Sequence, residues 1–334
     1  RTFLHMITPA LKIAIEESLQ QQKQVILFQN RRGYTPYKIC GTCGYIPHCD
    51  HCDVTLTYHK LNHKLQCHYC GKTYPVLPSC VACGSSKWVE RKFGTEKVEE
   101  ELQTLFPNHS VARMDIDTIR GKNAHDEMIR SFESQRIDIL VGTQMVVKGL
   151  DFEHVSLVGI LDADGLLAFT DFRVNERAFQ LMEQVSGRSG RKGDRGRVII
   201  QTSNPNHPII KLVSEHNYAG LYAFEMNSRK TFNYPPFSRI IQLYFKHSDK
   251  QKAKSASEFI TSRLKPIFDD NLVGPAEPVI NRVKNKYIYE MMLKLPRDGS
   301  GNSRARHHIQ QALVLMQNDA YFKSVHVQID VDPI

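Results

Sequence analysis

All eight cysteines of this chain fall in one window, as four Cys-x-x-Cys pairs: Cys40/Cys43, Cys49/Cys52, Cys67/Cys70 and Cys80/Cys83. Two thiolates spaced this way hold one edge of a tetrahedral metal site, and a Zn²⁺ needs two such edges. Four edges make two four-cysteine sites with no thiol left over. Disulfide scaffolds are small and cysteine-dense throughout. Here the thiols form one island in a 334-residue chain that is 41% hydrophobic, so zinc is the better account. A site closed by four thiolates has no open position for water, and both zinc ions are expected to be structural. His48, His51, His59, His63 and His68 stand close by, but the cysteines already complete both sites.

The pairing follows from what lies between. Val54, Leu56 and Tyr58, then Leu61 and Leu65, alternate with polar residues at period two, which reads as a hairpin. A hairpin returns its ends to one place. That favours a nested arrangement over a sequential one. Cys49, Cys52, Cys67 and Cys70 then share one metal, and Cys40, Cys43, Cys80 and Cys83 the other.

Around the island the chain has an α/β rhythm. Thr8 can cap a helix that Pro9 opens, with Leu11, Ile15 and Leu19 on one face. Val25–Phe28 is a short apolar run typical of a buried parallel strand. Further strands are expected at 88–92, 111–114, 137–141, 155–161 and 197–201, alternating with amphipathic helices. That pattern predicts a parallel sheet covered on both faces, with the metal module inserted early. Tyr234-Pro-Pro-Phe237 cannot continue a helix. Beyond it a β-α-β-β-α-β order, with a second strand near 278–282, suggests a small ferredoxin-like α+β domain. The expected partition is therefore 1–37 with 88–203, an insertion at 38–87, a helical connector at 204–236 and a terminal domain at 237–334. The formal charge of +9 favours polyanionic partners, nucleic acid first. No apolar run approaches the ~20 residues of a membrane helix. Residue 1 is Arg rather than Met, from which the chain is expected to be an excised fragment.

Two stretches carry chemistry. Gln184-Val-Ser-Gly187-Arg188-Ser-Gly190-Arg191 sets two guanidinium groups three residues apart in a glycine-rich turn after a helix. Arginines stay charged and match phosphate geometry. Gly142-Thr143-Gln-Met-Val-Val-Lys-Gly149-Leu-Asp151 directly follows a buried strand, and open α/β sheets bind ligands at the carboxyl ends of their strands. Thr143 can donate to a backbone phosphate and Asp151 can accept from a ribose hydroxyl.

These two stretches resemble motifs V and VI of superfamily 2 helicases, in the second RecA-like lobe. Such a lobe carrying an eight-cysteine insertion, with Asn30-Arg-Arg-Gly-Tyr34, Gly94-Thr-Glu96, Arg113-Met-Asp-Ile-Asp117, Tyr234-Pro-Pro-Phe237 and Asp330-Val-Asp-Pro333, resembles the primosomal protein N′ family of replication-restart helicases across essentially the whole chain. The resemblance implies that Gln184, Arg188 and Arg191 meet the γ-phosphate across an interlobe cleft. It implies that Thr143, Gly149 and Asp151, with Gly187 and Gly190, couple nucleotide to DNA. It implies two nested four-cysteine zinc sites, and ATP with Mg²⁺ held by a first lobe outside this sequence. The terminal domain would have the fold of a ribosomal small-subunit protein, and would help bind DNA and single-strand-binding protein, with Arg304 and Arg306 as contacts. The parent would be a cytoplasmic, nucleoid-associated 3′–5′ DNA helicase that recognises forked DNA and starts primosome assembly. This piece alone would not hydrolyse ATP. A rival reading is a non-catalytic, zinc-dependent nucleic-acid adaptor with a helicase-like lobe.

Three other features imitate sites. Gly71-Lys72-Thr73 copies the end of a phosphate-binding loop, but position 66 is Gln. Asp162-Ala-Asp164-Gly165 resembles the start of a calcium loop, but Arg173 stands where the closing Glu belongs. Asp126 and Glu127 read as the solvated face of a helix.

Overall fold

The computed structural model describes residues 6–29, 37–59, 63–67, 69–91, 94–115, 124–146, 152–168, 171–188, 196–297 and 300–333. The chain divides into two compact units, Arg1–Pro36 with Arg91–Glu225 and Tyr37–Glu90 with Met226–Ile334.

The first unit is built on a five-stranded parallel sheet. Its strands are β1 (Gln24–Phe28), β7 (Val111–Met114), β8 (Ile139–Gly142), β9 (Val155–Ile160) and β10 (Arg197–Ile200), in the order β10-β9-β1-β8-β7. All five residues of β1 are buried. Val25 and Leu27 enter one apolar cluster with Leu11 and Ile15 of α1 (Pro9–Gln20) and Val98 and Leu102 of α2 (Thr95–Leu105). Ile26 and Phe28 enter another, on the opposite face. That second cluster takes Phe132 of α3 (Ala124–Glu133), Leu166 of α4 (Ala163–Leu167), Met182 and Val185 of α5 (Val174–Ser186), Ile209 of α6 (Pro208–Ser214) and Leu221 of α7 (Tyr218–Thr231). Period-two side chains thus feed two helical layers, which is why these strands read as unbroken apolar runs. Thr8 caps α1, accepting from the Leu11 N–H.

The second unit joins the cysteine-rich stretch to the terminal domain. Strands β2 (Tyr37–Cys40) and β6 (Trp88–Arg91) pair and close the base of the metal module, while β3 (Thr57–His59), β4 (Lys64–Gln66) and β5 (Thr73–Pro75) form an antiparallel sheet inside it. The terminal domain has β11 (Ser238–His247), α8 (Lys250–Phe268), β12 (Leu272–Ala276), β13 (Arg282–Val283), β14 (Lys286–Pro296), α9 (Ser300–Asn318) and β15 (His326–Val331). Its sheet runs β12-β14-β11-β15, all antiparallel, with β13 also paired to β14. That is the ferredoxin-like order. Asp332, in the closing Asp330-Val-Asp-Pro333, accepts from Arg239 Nε at 3.0 Å, Arg239 Nη2 at 2.7 Å and the Ile240 N–H at 3.1 Å, tying the chain end to β11.

Several elements differ from the sequence reading. The strand expected at 88–92 is not part of the parallel sheet. It pairs with β2, because the two ends of the metal module must meet. The strand expected near 278–282 forms at Leu272–Ala276, on the edge of its sheet, where Pro275 costs no interior ladder bond. In β15, also an edge strand, Ile329 and Val331 are exposed. The expected connector at 204–236 begins as α6, which packs into the first unit, and the division falls at Glu225/Met226 rather than at the two prolines. The cysteine-rich stretch groups with the terminal domain rather than with the lobe whose sequence it interrupts.

Gly142 ends β8 where a side chain would not fit: a Cβ there would lie 2.2 Å from Val146 Cγ1 and 2.7 Å from the Met114 carbonyl oxygen. Gly142→Ala should destabilise the first unit by about 1–3 kcal/mol, read from its denaturant midpoint. Asp332 also sets a pH dependence. Partial burial raises its carboxyl, but Arg239 and the Ile240 N–H outweigh this and hold it below the usual range. Its contribution is present above the unfolded-state carboxyl pKa and lost as pH falls through the lower folded value. Asp332→Asn should therefore flatten the acid limb of the second unit's stability curve.

Candidate metal centres and nucleotide motifs

The eight thiols form two groups of four, Cys40 with Cys43, Cys80 and Cys83, and Cys49 with Cys52, Cys67 and Cys70. Within each group all sulfurs lie within 4.8 Å of one another. The Sγ–Sγ distances are 3.6 Å for Cys40–Cys83, Cys43–Cys80 and Cys49–Cys70. A tetrahedron with Zn–S bonds of about 2.3 Å has edges of about 3.8 Å, so both groups fit one zinc ion. The inner group (Cys49, Cys52, Cys67, Cys70) forms because β3 and β4 pair Tyr58 with Leu65 and bring the flanking pairs together.

Three of the four pairs are built alike. The residue after the second cysteine is Gly44, Gly71 or Gly84, with φ of 76°, 80° and 73°. Each glycine N–H returns to the carbonyl of the first cysteine, at 3.0 Å to Cys40, 2.8 Å to Cys67 and 2.8 Å to Cys80. Only glycine takes that left-handed turn without a steric penalty. The fourth pair has Asp53 at this position, and Asp53 keeps a negative φ.

The electrostatics call for a cation. The Cys43 N–H leads the effects that bring Cys40 down to about 6, whereas Cys83, although the Ser85 N–H favours its thiolate, is pushed up to about 12 by neighbouring thiols and burial. In the inner group burial pushes Cys67 up to about 12. Burial also raises Cys49, but the Tyr74 hydroxyl, 3.2 Å away, and the His51 N–H at 3.3 Å bring it down to about 7. The Asp50 N–H donates to the Tyr74 oxygen at 3.0 Å, which leaves the Tyr74 proton for the sulfur. In each group one sulfur ionises readily and another resists. A divalent ion among them removes that conflict.

The remaining motif residues sit on the parallel-sheet unit. Thr143 follows β8 at its carboxyl end and is buried; its N–H reaches the Met114 carbonyl at 3.4 Å and its carbonyl accepts from Val146 at 3.1 Å. Gln184 is exposed on the last turn of α5, opposite the core residues Phe179, Met182 and Val185. Gly187 caps that helix, its N–H on the Glu183 carbonyl at 2.9 Å, and the half-buried Arg188 follows with its N–H on Val185 at 3.1 Å. Val146 and Val185 belong to one buried cluster, so a common core carries both motif segments. Gly149, Asp151, Gly190 and Arg191 lie outside the described residues, as do Asn30–Tyr34 and Asp117. Arg304 and Arg306 are exposed on α9. Asp162 caps α4 through the Gly165 N–H at 2.9 Å, and Asp164 accepts from Thr202 and Ser203. Those carboxylates have structural work.

One grouping escaped the sequence reading. Thr95 and Asp115, from two separately noted motifs, meet with Thr95 Oγ1 donating to Asp115 Oδ2 at 2.5 Å, and Arg113 Nε stands 3.5 Å from both Asp115 and Glu99. Asp115 is buried, and a buried carboxylate needs such partners. The available signal was a Thr at a helix start and an Asp at a strand end in neighbouring βα units. Tyr74 was missed too, for want of any local pattern.

Family models match in three places. Residues 49–75 match the PriA DNA helicase Cys-rich region domain, residues 86–193 the helicase conserved C-terminal domain, and residues 230–334 the primosomal protein N C-terminal domain. The Replication restart protein PriA of Bacillus subtilis is 38% identical over 330 residues, which cover 98% of this chain and 40% of that protein. Its counterpart from Synechocystis is 37% identical over 332 residues, 97% of this chain and 39% of the relative. The chain thus spans about two-fifths of the length of these relatives. Among solved structures, Saccharomyces cerevisiae Dbp5 bound to RNA and ADP BeF3 aligns over 67% of this chain and 43% of that one, at 14% identity and a TM-score of 0.32. A likeness that weak carries no argument.

Tyr74→Phe removes the hydroxyl on Cys49 and should weaken zinc binding at the inner group by about 10–100-fold, measured by chelator competition. Zinc content at saturation should be unchanged.

Proposed function

This chain belongs to the PriA family of replication restart proteins, whose C-terminal portion it matches, and on that premise we propose that the parent protein is an ATP-driven 3′–5′ DNA helicase acting at stalled forks. The observation that carries this reading is the ordered run of three matched regions along one chain, with Thr143 at a strand's carboxyl end and Gln184 and Arg188 at the end of α5. Ligands of open α/β sheets gather at strand carboxyl ends.

In this reading the parallel-sheet unit is the second motor lobe. Arg188 and Arg191 supply positive charge to the γ-phosphate in the transition state, and Gln184 meets the same phosphate across the interlobe cleft. The phosphate-binding loop and the acidic Mg²⁺ ligands belong to a first lobe, since the only Gly-Lys-Thr here lies in the metal module. Thr143, Gly149 and Asp151 couple nucleotide state to the DNA strand. Two zinc ions, each held by four cysteines, keep the module at 37–90 in shape; their chemistry is structural, because thiolates fill every position. The terminal domain contacts DNA and, through Arg304 and Arg306, single-strand-binding protein. Primosome proteins then assemble on the fork, and the parent works in the cytoplasm, at the nucleoid. No described helix is long and apolar enough to cross a membrane.

In the full-length protein Arg191→Ala should lower DNA-stimulated ATP turnover by about 10³-fold or more and abolish unwinding, with DNA binding largely kept. Unwinding at the parental rate would contradict the assignment. The isolated 334-residue chain should bind DNA without turning over ATP; steady DNA-stimulated turnover would contradict the two-lobe reading.

A further inference from the structure

The inner cysteine group is not closed by its own module. In the other three pairs a glycine completes the turn locally. At Cys49/Cys52 the Asp53 N–H instead donates to the Arg282 carbonyl of the terminal domain, at 2.9 Å. The Asn285 N–H donates to the His51 carbonyl at 2.7 Å. The Lys284 N–H donates to Cys52 Sγ at 3.2 Å. Val283 packs against the buried cluster of Cys49, Cys52, Leu56, Tyr58, Leu65 and Cys67. Lys284 and Asn285 hold φ of 51° and 59°, the left-handed pair of a tight two-residue hairpin turn between β13 and β14. That turn aims two successive N–H groups at the cysteine loop. By contrast, the hydrogen bonds around the outer group join residues 40–45 to residues 85–87, as in Gly41 to Lys87 at 2.8 Å and Thr42 Oγ1 to Ser85 Oγ at 2.8 Å.

We propose that the Arg282–Lys286 turn is part of the inner zinc site, and that metal at this site is the clasp fastening the cysteine module to the terminal domain. With zinc bound, Cys52 Sγ would be fixed where the Lys284 N–H reaches it, at 3.2 Å. Metal binding therefore tightens the docked turn. By linkage, the docked turn holds the metal with the same coupling. The outer site has no share in this coupling. The inference rests on zinc occupying the inner group, so metal content is measured first.

The test uses the full-length, zinc-loaded protein and a chromogenic chelator, with pulsed alkylation and mass spectrometry to tell the two cysteine groups apart. Val283→Asp places a carboxylate against the apolar cluster and should undock the turn. The inner cysteines should then become reactive about 10–100-fold faster, with the outer group unchanged. Val279→Asp, at an 88% exposed position nearby, should leave both groups unchanged. Equal acceleration of both groups by Val283→Asp, or none, overturns the proposal. Hydrogen exchange on the unmutated protein gives an independent reading. Removing zinc should deprotect residues 282–287 while residues 289–295 of β14 stay protected. Retained protection at 282–287, or loss along the whole strand, overturns the coupling. A protein holding no zinc at the inner group sinks the metal reading and this inference together.

Discussion

The closing of thiols around a metal is the interaction on which the cysteine module depends. Among the described residues the buried cluster of the cysteine module has six members, Cys49, Cys52, Leu56, Tyr58, Leu65 and Cys67, and half are cysteines. Its strands β3, β4 and β5 are three residues long each. So little apolar surface cannot offset the entropy of ordering the segment, and small domains in that position use metals or disulfides. Structural zinc contributes on the order of 10 kcal/mol in such modules. Here three of the sulfurs grouped to hold an ion also form the core.

The parallel sheet obeys a different constraint. It is buried on both faces, with Val25 and Leu27 toward α1 and α2 and Ile26 and Phe28 toward the remaining helices. That double burial fixes where β8 ends, and therefore where Thr143 begins. Gly142 presses the turn against β7, and Val146 anchors its far side in the cluster that also holds Val185 of α5. A motif on a strand end and a motif on a helix end thereby share one rigid support. The phosphate chemistry proposed for these motifs would need such support more than any single strong contact.

Local patterns carried most of this into the sequence. The Thr8–Pro9 start and the stripe at Leu11, Ile15 and Leu19 both report α1, the apolar run 25–28 reports β1, and the alternation at Val54–Tyr58 overlaps β3, which the structure confines to Thr57–His59. The grouping of the cysteines was legible because a hairpin returns its ends. What stayed hidden was non-local. Trp88–Arg91 has the composition of any short strand, and nothing in it says that its partner is Tyr37–Cys40. The pairing of Thr95 with Asp115 and the arrival of Lys284 at Cys52, 232 residues away, depend on three-dimensional packing that no window contains. The absence of glycine after Cys52 was the one local trace of that last contact: three pairs could close by themselves, and the fourth could not.

X-ray absorption at the zinc edge of the saturated protein addresses the central claim most directly. Two closed tetrathiolate sites predict an average shell of four sulfurs at about 2.3 Å with no light-atom ligand. A first shell containing nitrogen or oxygen, or fewer sulfurs per zinc, would show that the thiol groups are not the closed structural centres described here.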